Sequence, residues 1–218
     1  IGNNLFQKGI ISIQDPAAGA VVELVNPKKN DFILDVCAAP GTKSLFMAQK
    51  VGQGGRIYAC DNNQTRIDKA LNDKSRHKLN NINWYLLDAT KDKYPMYEKI
   101  LIDAPCSGTG VIGRRPDIKW RLKKSDILKM ANLQASILEN ISKYLKPGGK
   151  IVYSTCSLER EENQDVVNNF LRNRSDFELL GTNSLLPSRW VYSEYFMFSF
   201  PTKTNTDGLF AAVIQKKI

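Results

Sequence analysis

Five short runs of aliphatic and aromatic residues recur along the chain: FILDVC (32–37), RIYACD (56–61), NWYLLD (83–88), EKILID (98–103) and KIVYST (150–155). Between several of them the spacing of apolar residues changes to that of a helix. The clearest case is 125–145, with Ile127, Ala131, Ala135, Leu138, Ile141 and Leu145 at three-to-four spacing, Ser125 as the expected N-cap and KPGG as the stop. Asp15 and Pro16 read as the N-cap and first-turn proline of another helix, running to about Val25. Strands alternating with helices specify an α/β fold with a doubly wound, mostly parallel, Rossmann-like sheet. The less regular segment after about Asn173 contains WVYSEYFMFSF and GLFAAVIQ. These are read as closing, antiparallel strands, with Asp207-Gly208 as the turn before the last one.

Composition narrows the function. The 218 residues are 42% hydrophobic and 24% charged, which suits one globular domain over 1–218 with a substantial core. That domain is expected to be part of a longer protein and to act as a monomer. No apolar run is long enough to cross a bilayer, so no membrane partner is expected. The four cysteines (Cys37, Cys60, Cys106, Cys156) form no CxxC pair. Neither a disulfide framework nor a metal site is therefore expected, and a reducing cytoplasm fits. The single histidine, His77, lies in a polar run and is read as a solvated surface residue. A net charge of +9 suits a polyanion, above all nucleic acid. The positive charge is densest in GRRPDIKWRLKK (113–124), six basic residues against one acid. Arg114, Arg115 and Lys119 are the expected phosphate contacts, and Trp120 is expected to pack the loop down.

In a doubly wound sheet, ligands sit in the crevice beyond the carboxyl ends of the strands. Here those ends carry acids: Asp35, Asp61, Asp88 and Asp103. The first strand also runs into CAAPGTKS, small residues that let a backbone approach a ligand. Asp61 stands where a carboxylate accepts hydrogen bonds from a ribose diol. Successive acids would repel the phosphates of a dinucleotide, and the G-x-G-x-x-G of a nucleotide-binding oxidoreductase is absent. A nucleoside with a positive charge fits better, and S-adenosylmethionine is one. The plain alternative is that each aspartate caps the helix that follows it.

The segments DVCAAPGTKS, ACDNN, LLDAT, LIDAPCSGTG and YSTCSLEREEN together resemble the Nop/Sun family of RNA cytosine-5 methyltransferases. ISIQDPAAG and DGLFAAVIQ resemble the family's flanking segments, so the similarity spans nearly the whole chain. GVIGRRPDIKW is most similar to the bacterial branch that acts on small-subunit ribosomal RNA. The resemblance implies that Cys37, Ala38, Ala39, Pro40, Gly41, Thr42, Lys43, Asp61, Asp88 and Asp103 bind S-adenosylmethionine. It also implies an RNA substrate, ribosomal first and transfer RNA second. Cys156 is implied as the nucleophile, with Cys106 and Asp103 as its catalytic partners. Thr42 stands where the family usually has a second glycine, and the family's separate N-terminal RNA-binding domain is absent from these residues.

The chemistry explains why two thiols would be used. Carbon 5 of cytosine is a poor nucleophile until a thiolate adds to carbon 6. The carbon 5 proton must then leave and the thiol be expelled. A cysteine of ordinary pKa, about 8.5, needs an electropositive setting for the first step. An acidic helical turn after Cys156 is expected to lend a helix N-terminus. Two alternatives stay open on the residues alone: a DNA cytosine-5 methyltransferase with Cys106 as nucleophile, and a non-catalytic RNA-binding or ribosome-assembly factor. Cys37 and Cys60 are read as small buried hydrophobes.

Overall fold

The apolar runs become the strands of one sheet because each is covered on both faces by helices. The structure, a computed structural model, describes residues 3–182, 186–190 and 193–218. In chain order the elements are α1 (Asn4–Gln7), α2 (Pro16–Val25), β1 (Phe32–Val36), α3 (Thr42–Val51), β2 (Arg56–Asp61), α4 (Gln64–Arg76), β3 (Ile82–Leu86), β4 (Tyr97–Asp103), α5 (Asp117–Arg121) and α6 (Lys124–Ser142). There follow β5 (Leu145–Thr155), α7 (Gln164–Asn173), β6 (Phe177–Leu180), β7 (Phe196–Ser199), α8 (Pro201–Thr204) and β8 (Leu209–Lys216).

The strand order is β3-β2-β1-β4-β5-β8-β6, with β7 also paired to β8. β1 to β5 run parallel, and β8 closes the sheet antiparallel to β5. β6 and β7 share the outer edge of β8, one along each half. The direction of winding reverses between β1 and β4, and the crevice at that switch point is where such a sheet binds ligands.

Side chains alternate across the strands, and the alternation sorts the core. Ile33, Leu101 and Val152 pack against α2 and α3 on one face; Leu34, Ile100, Ile102 and Tyr153 pack with Ile137, Leu138 and Val167 of α6 and α7 on the other. All ten are 2% exposed or less. Burying an aliphatic side chain of this size contributes about 1.5–3 kcal/mol. β1 and β4 therefore anchor the site rigidly.

Asp15 caps α2, its Oδ1 accepting the Ala17 N–H at 2.8 Å, and the helix ends at Val25 as expected. Other expectations need correction. Helix α6 starts one residue before Ser125; its N-cap is Lys123, whose N–H is taken by Asp126 Oδ2 at 3.1 Å. It ends at Ser142, and KPGG does not stop it. Those four residues instead bulge inside β5, since Leu145 pairs with Tyr97 and Lys150 with Lys99. Gly148 takes φ +74 to make the bulge. Asp207-Gly208 is not a two-residue hairpin turn, because α8 lies between β7 and β8. Within WVYSEYFMFSF only Phe196–Ser199 is strand, and 191–192 lie outside the described residues. His77 is half-buried at the C-cap of α4.

Candidate active site

Past β1 the chain must turn sharply, and Cys37 does so with φ +60. Ala38 N–H then bonds Cys60 O at 2.9 Å, tying the turn to β2. Gly41, the N-cap of α3, has φ +103, and a Cβ there would meet the Trp84 ring at 2.9 Å. Only glycine fits both constraints. Thr42, by contrast, opens α3 as an ordinary first helical residue.

The expected cofactor residues divide between two hollows. A cavity of about 110 Å³ is lined by Cys37, Asp61 and Asp88 together with Leu87, Pro105 and Ile137. A cleft of about 740 Å³ is lined by Ala39, Pro40, Thr42, Lys43 and Asp103 together with Cys156. Ala38 and Gly41 line neither. Arg66 touches both hollows. Its guanidinium lies 3.3 Å from Asp61 Oδ2 and donates to Ala39 O. No motif or spacing in the sequence pointed to Arg66.

Asp61 also accepts the N–H groups of Ala39 and Asn63, each at 3.1 Å. Asp88 Oδ1 accepts from the Thr90 hydroxyl at 2.7 Å, which with the Thr90 N–H lowers its pKa. Asp103 Oδ2 takes the Lys43 ammonium at 2.7 Å, and its Oδ1 accepts the Ser154 hydroxyl at 2.9 Å. Asp35 lies beneath this row, fully buried. Burial pushes its pKa up to about 7, opposed by the Ser44 hydroxyl donating at 2.5 Å.

The donor set suits S-adenosylmethionine. The small cavity is an apolar slot edged by carboxylates, fit for a purine and a ribose diol. Asp61 has only the Asn63 N–H on its Oδ1, leaving acceptor capacity for a diol.

The two thiols meet at the cleft floor, Cys106 Sγ lying 2.8 Å from Cys156 Sγ. They are not equivalent. The contact with Cys106 lowers the Cys156 pKa, and the Lys43 ammonium acts in the same sense against burial and Asp103. The same contact, with burial and the Glu162 carboxylate, pushes the Cys106 thiol well up. Of the two, Cys156 is the thiol whose ionised form is favoured, and Cys106 the one that holds its proton more tightly. Cys156 lines the cleft and Cys106 does not. The expected helix N-terminus is not the source of this bias: Cys156 is followed by a three-residue 3-10 turn, Arg160–Glu162. Burial raises the Cys37 thiol well above its usual value and Cys60 to about 12.

Glu162, missed in the sequence, holds the thiol loops together. It is wholly buried. Its Oε2 accepts the Ser107 N–H at 2.9 Å and Gln134 Nε2 at 2.8 Å; its Oε1 accepts the Ser157 hydroxyl at 2.7 Å and also the Ser107 hydroxyl. Four donors offset the cost of burying a carboxylate. The only signal was its place in SLEREEN, which by itself reads as an acidic first helical turn. Gly110 N–H bonds Cys156 O at 3.0 Å, and a Cβ on Gly110 would sit 1.9 Å from Gly208 O. The Cys106 loop, the Cys156 loop and the start of β8 are thus packed backbone on backbone.

Of the expected RNA contacts, Arg114 and Arg115 line the cleft and Lys119 lies outside it. Arg114 Nε donates to Asp207 Oδ1 at 2.9 Å. Trp120 does not pack the loop down, for it is 83% exposed. The packing is done by Ile118, 3% exposed.

Comparison with known proteins places the chain among rRNA methyltransferases by similarity. The family model described as 16S rRNA methyltransferase RsmB/F matches residues 22–215. The probable ribosomal RNA small subunit methyltransferase B of Bacillus subtilis is 35% identical over 223 residues, covering 99% of this chain and 50% of that protein. The ribosomal RNA small subunit methyltransferase B of Cronobacter sakazakii is 37% identical over 215 residues, covering 97% and 48%. This chain spans about half the length of these curated relatives. Among solved structures, NSun6 from Pyrococcus horikoshii with SFG superposes with a TM-score of 0.89 at 30% identity, over 99% of this chain and 55% of that one.

Proposed function

The chain belongs to the 16S rRNA methyltransferase RsmB/F family, and from that premise we propose that it methylates carbon 5 of a cytidine in RNA, ribosomal RNA first, through a covalent bond between Cys156 and carbon 6 of the base. S-adenosylmethionine, when bound, supplies the methyl group. Asp61 and Asp88, with the apolar slot beside Cys37, would hold its nucleoside, and Ala39, Pro40, Thr42 and Lys43 would lie along the rest.

One observation carries the reading: two thiols 2.8 Å apart, Cys156 on the cleft wall with its pKa lowered and Cys106 behind it with its pKa raised. Cys156 adds to carbon 6, and its hydrogen bond from Cys106 is given up as the C–S bond forms. Cys106 then passes its proton to water entering past Cys156 and, now a thiolate, becomes the base for the carbon 5 proton. As that proton leaves, the electron pair of the C5–H bond forms the C5–C6 double bond and expels the Cys156 thiolate. Asp103, oriented by Ser154 and Lys43, accepts from the base's exocyclic amine while charge moves on the ring. The lowered Cys156 thiol and its place on the cleft wall, 2.8 Å in front of Cys106, favour this over a DNA-type mechanism with Cys106 as nucleophile. A non-catalytic binding role would leave the paired thiols without a use.

The test is a denaturing gel of each variant mixed with substrate RNA and S-adenosylmethionine. Cys156→Ala should form no adduct and lose turnover by several orders of magnitude. Cys106→Ala should methylate once and stall as a denaturant-resistant protein–RNA band. The reverse pattern would assign Cys106 as nucleophile, and no adduct from either variant would sink the covalent mechanism.

A further inference from the structure

Helix α5 is a single short turn standing beside the cleft. Its one buried residue, Ile118, is seated on the Cys106 loop, close enough that a Cβ on Gly108 would meet Ile118 Cδ1 at 2.9 Å. Two residues on, roughly 200° around the helix, Trp120 must point the opposite way. It is 83% exposed, more than any other large apolar side chain among the described residues except the terminal Ile218. An indole left in water beside an enzyme's cleft needs an explanation.

Its surroundings supply one. Lys119 Nζ lies 5.5 Å from the centroid of the indole. Arg115 and Arg121 share Asp117, at 3.4 and 3.0 Å, and both remain more than half exposed. Lys119, Lys123 and Lys124 make no ion pair among the described residues. An exposed aromatic could serve a protein partner, but lysine is depleted from such interfaces. An exposed aromatic ring with one cation 5.5 Å from it and further exposed cations on the same short segment is instead the composition of a single-stranded nucleic-acid platform, with a base on the ring and phosphates on the cations.

Resting on the RNA reading above, we infer that Trp120 is a stacking platform for an unpaired nucleobase flanking the target nucleotide. Because α5 is seated on Gly108, two residues past Cys106, a base stacked there sits at a fixed distance from the thiols. The platform sets where the strand lies and tolerates any base, since every base presents a π-face.

The experiment is a titration of fluorescein-labelled single-stranded RNA of about 12 nucleotides with a central cytidine, repeated across salt concentrations. Trp120→Ala should weaken binding between about fivefold and a hundredfold while leaving the salt slope and S-adenosylmethionine affinity unchanged. Trp120→Phe should retain most of the affinity, and Trp120→Leu should not. Wild-type affinity in Trp120→Ala, equal binding by the Leu and Phe variants, or a reduced salt slope in Trp120→Ala would each overturn the stacking role. If the wild-type protein bound no RNA at all, the RNA reading itself would fall.

Discussion

The loops bearing Cys106 and Cys156 and the segment 113–124 lie on adjoining sides of one cleft and are built by opposite means. In the first, a carboxylate is buried completely and its neighbours Ser107, Ser157 and Gln134 all donate to it. In the second, six cations stand in solvent above one buried isoleucine. Reacting atoms need to be held to within about half an ångström, and a carboxylate with its donors in place does that. A flexible polyanion needs charge that it can meet from many directions, and burying that charge would cost more than pairing returns. On the proposed reading, order is concentrated where bonds would be made, and solvation where the polymer would arrive.

The contrast is broken most severely at its buried end. Glu162→Ala would leave four donors unpaired in the interior, at a cost of about 3–5 kcal/mol. The melting temperature should fall by roughly 10 °C for a chain of this size. A value equal to wild type would mean that the two loops are held by something else.

The exposed side should respond quite differently. Replacing Arg115 and Lys119 together by Gln should leave the melting temperature unchanged but lower the slope of log affinity against log salt by about 0.7 for each phosphate no longer neutralised. A fluorescence titration at several salt concentrations measures it, and an unaltered slope would return these residues to a solvated loop. Arg114 is a poorer choice for this test, because removing it also breaks its bond to Asp207.

The most gradual effect is a pH dependence set inside the sheet. Asp35 has a folded pKa of about 7, above its unfolded value. Between the two, the unfolded chain releases the proton while the folded chain keeps it. Stability is therefore full below the unfolded pKa and declines as pH rises toward 7. Asp35→Asn should flatten that decline, so that melting temperatures at about pH 5 and about pH 8 draw closer than in the wild type. If the two proteins lost stability in parallel, the buried acid would not be its source.

Local chemistry in the sequence determined a good deal of this protein. A run of apolar residues closed by an aspartate marked β2 and β4 at their carboxyl ends, and Asp15-Pro16 marked the start of α2, because strand period, capping and proline geometry act within a few residues. The same locality put Asp61, Asp88, Asp103, Cys106 and Cys156 at strand ends, hence on one rim. It failed where the deciding contact came from far along the chain. KPGG reads as a helix stop but is absorbed as a bulge because β4 pairs on both sides of it. Asp207 reads as half of a turn, yet it receives Arg114 from 93 residues away. Glu162 reads as a surface acid until Ser107, 55 residues earlier, donates to it. Which thiol is the more acidic depends on a contact spanning 50 residues. Capping and periodicity act between neighbours and can be read in order, whereas burial, pairing and proton position follow from which distant segments the sheet brings together, and only the folded chain decides that.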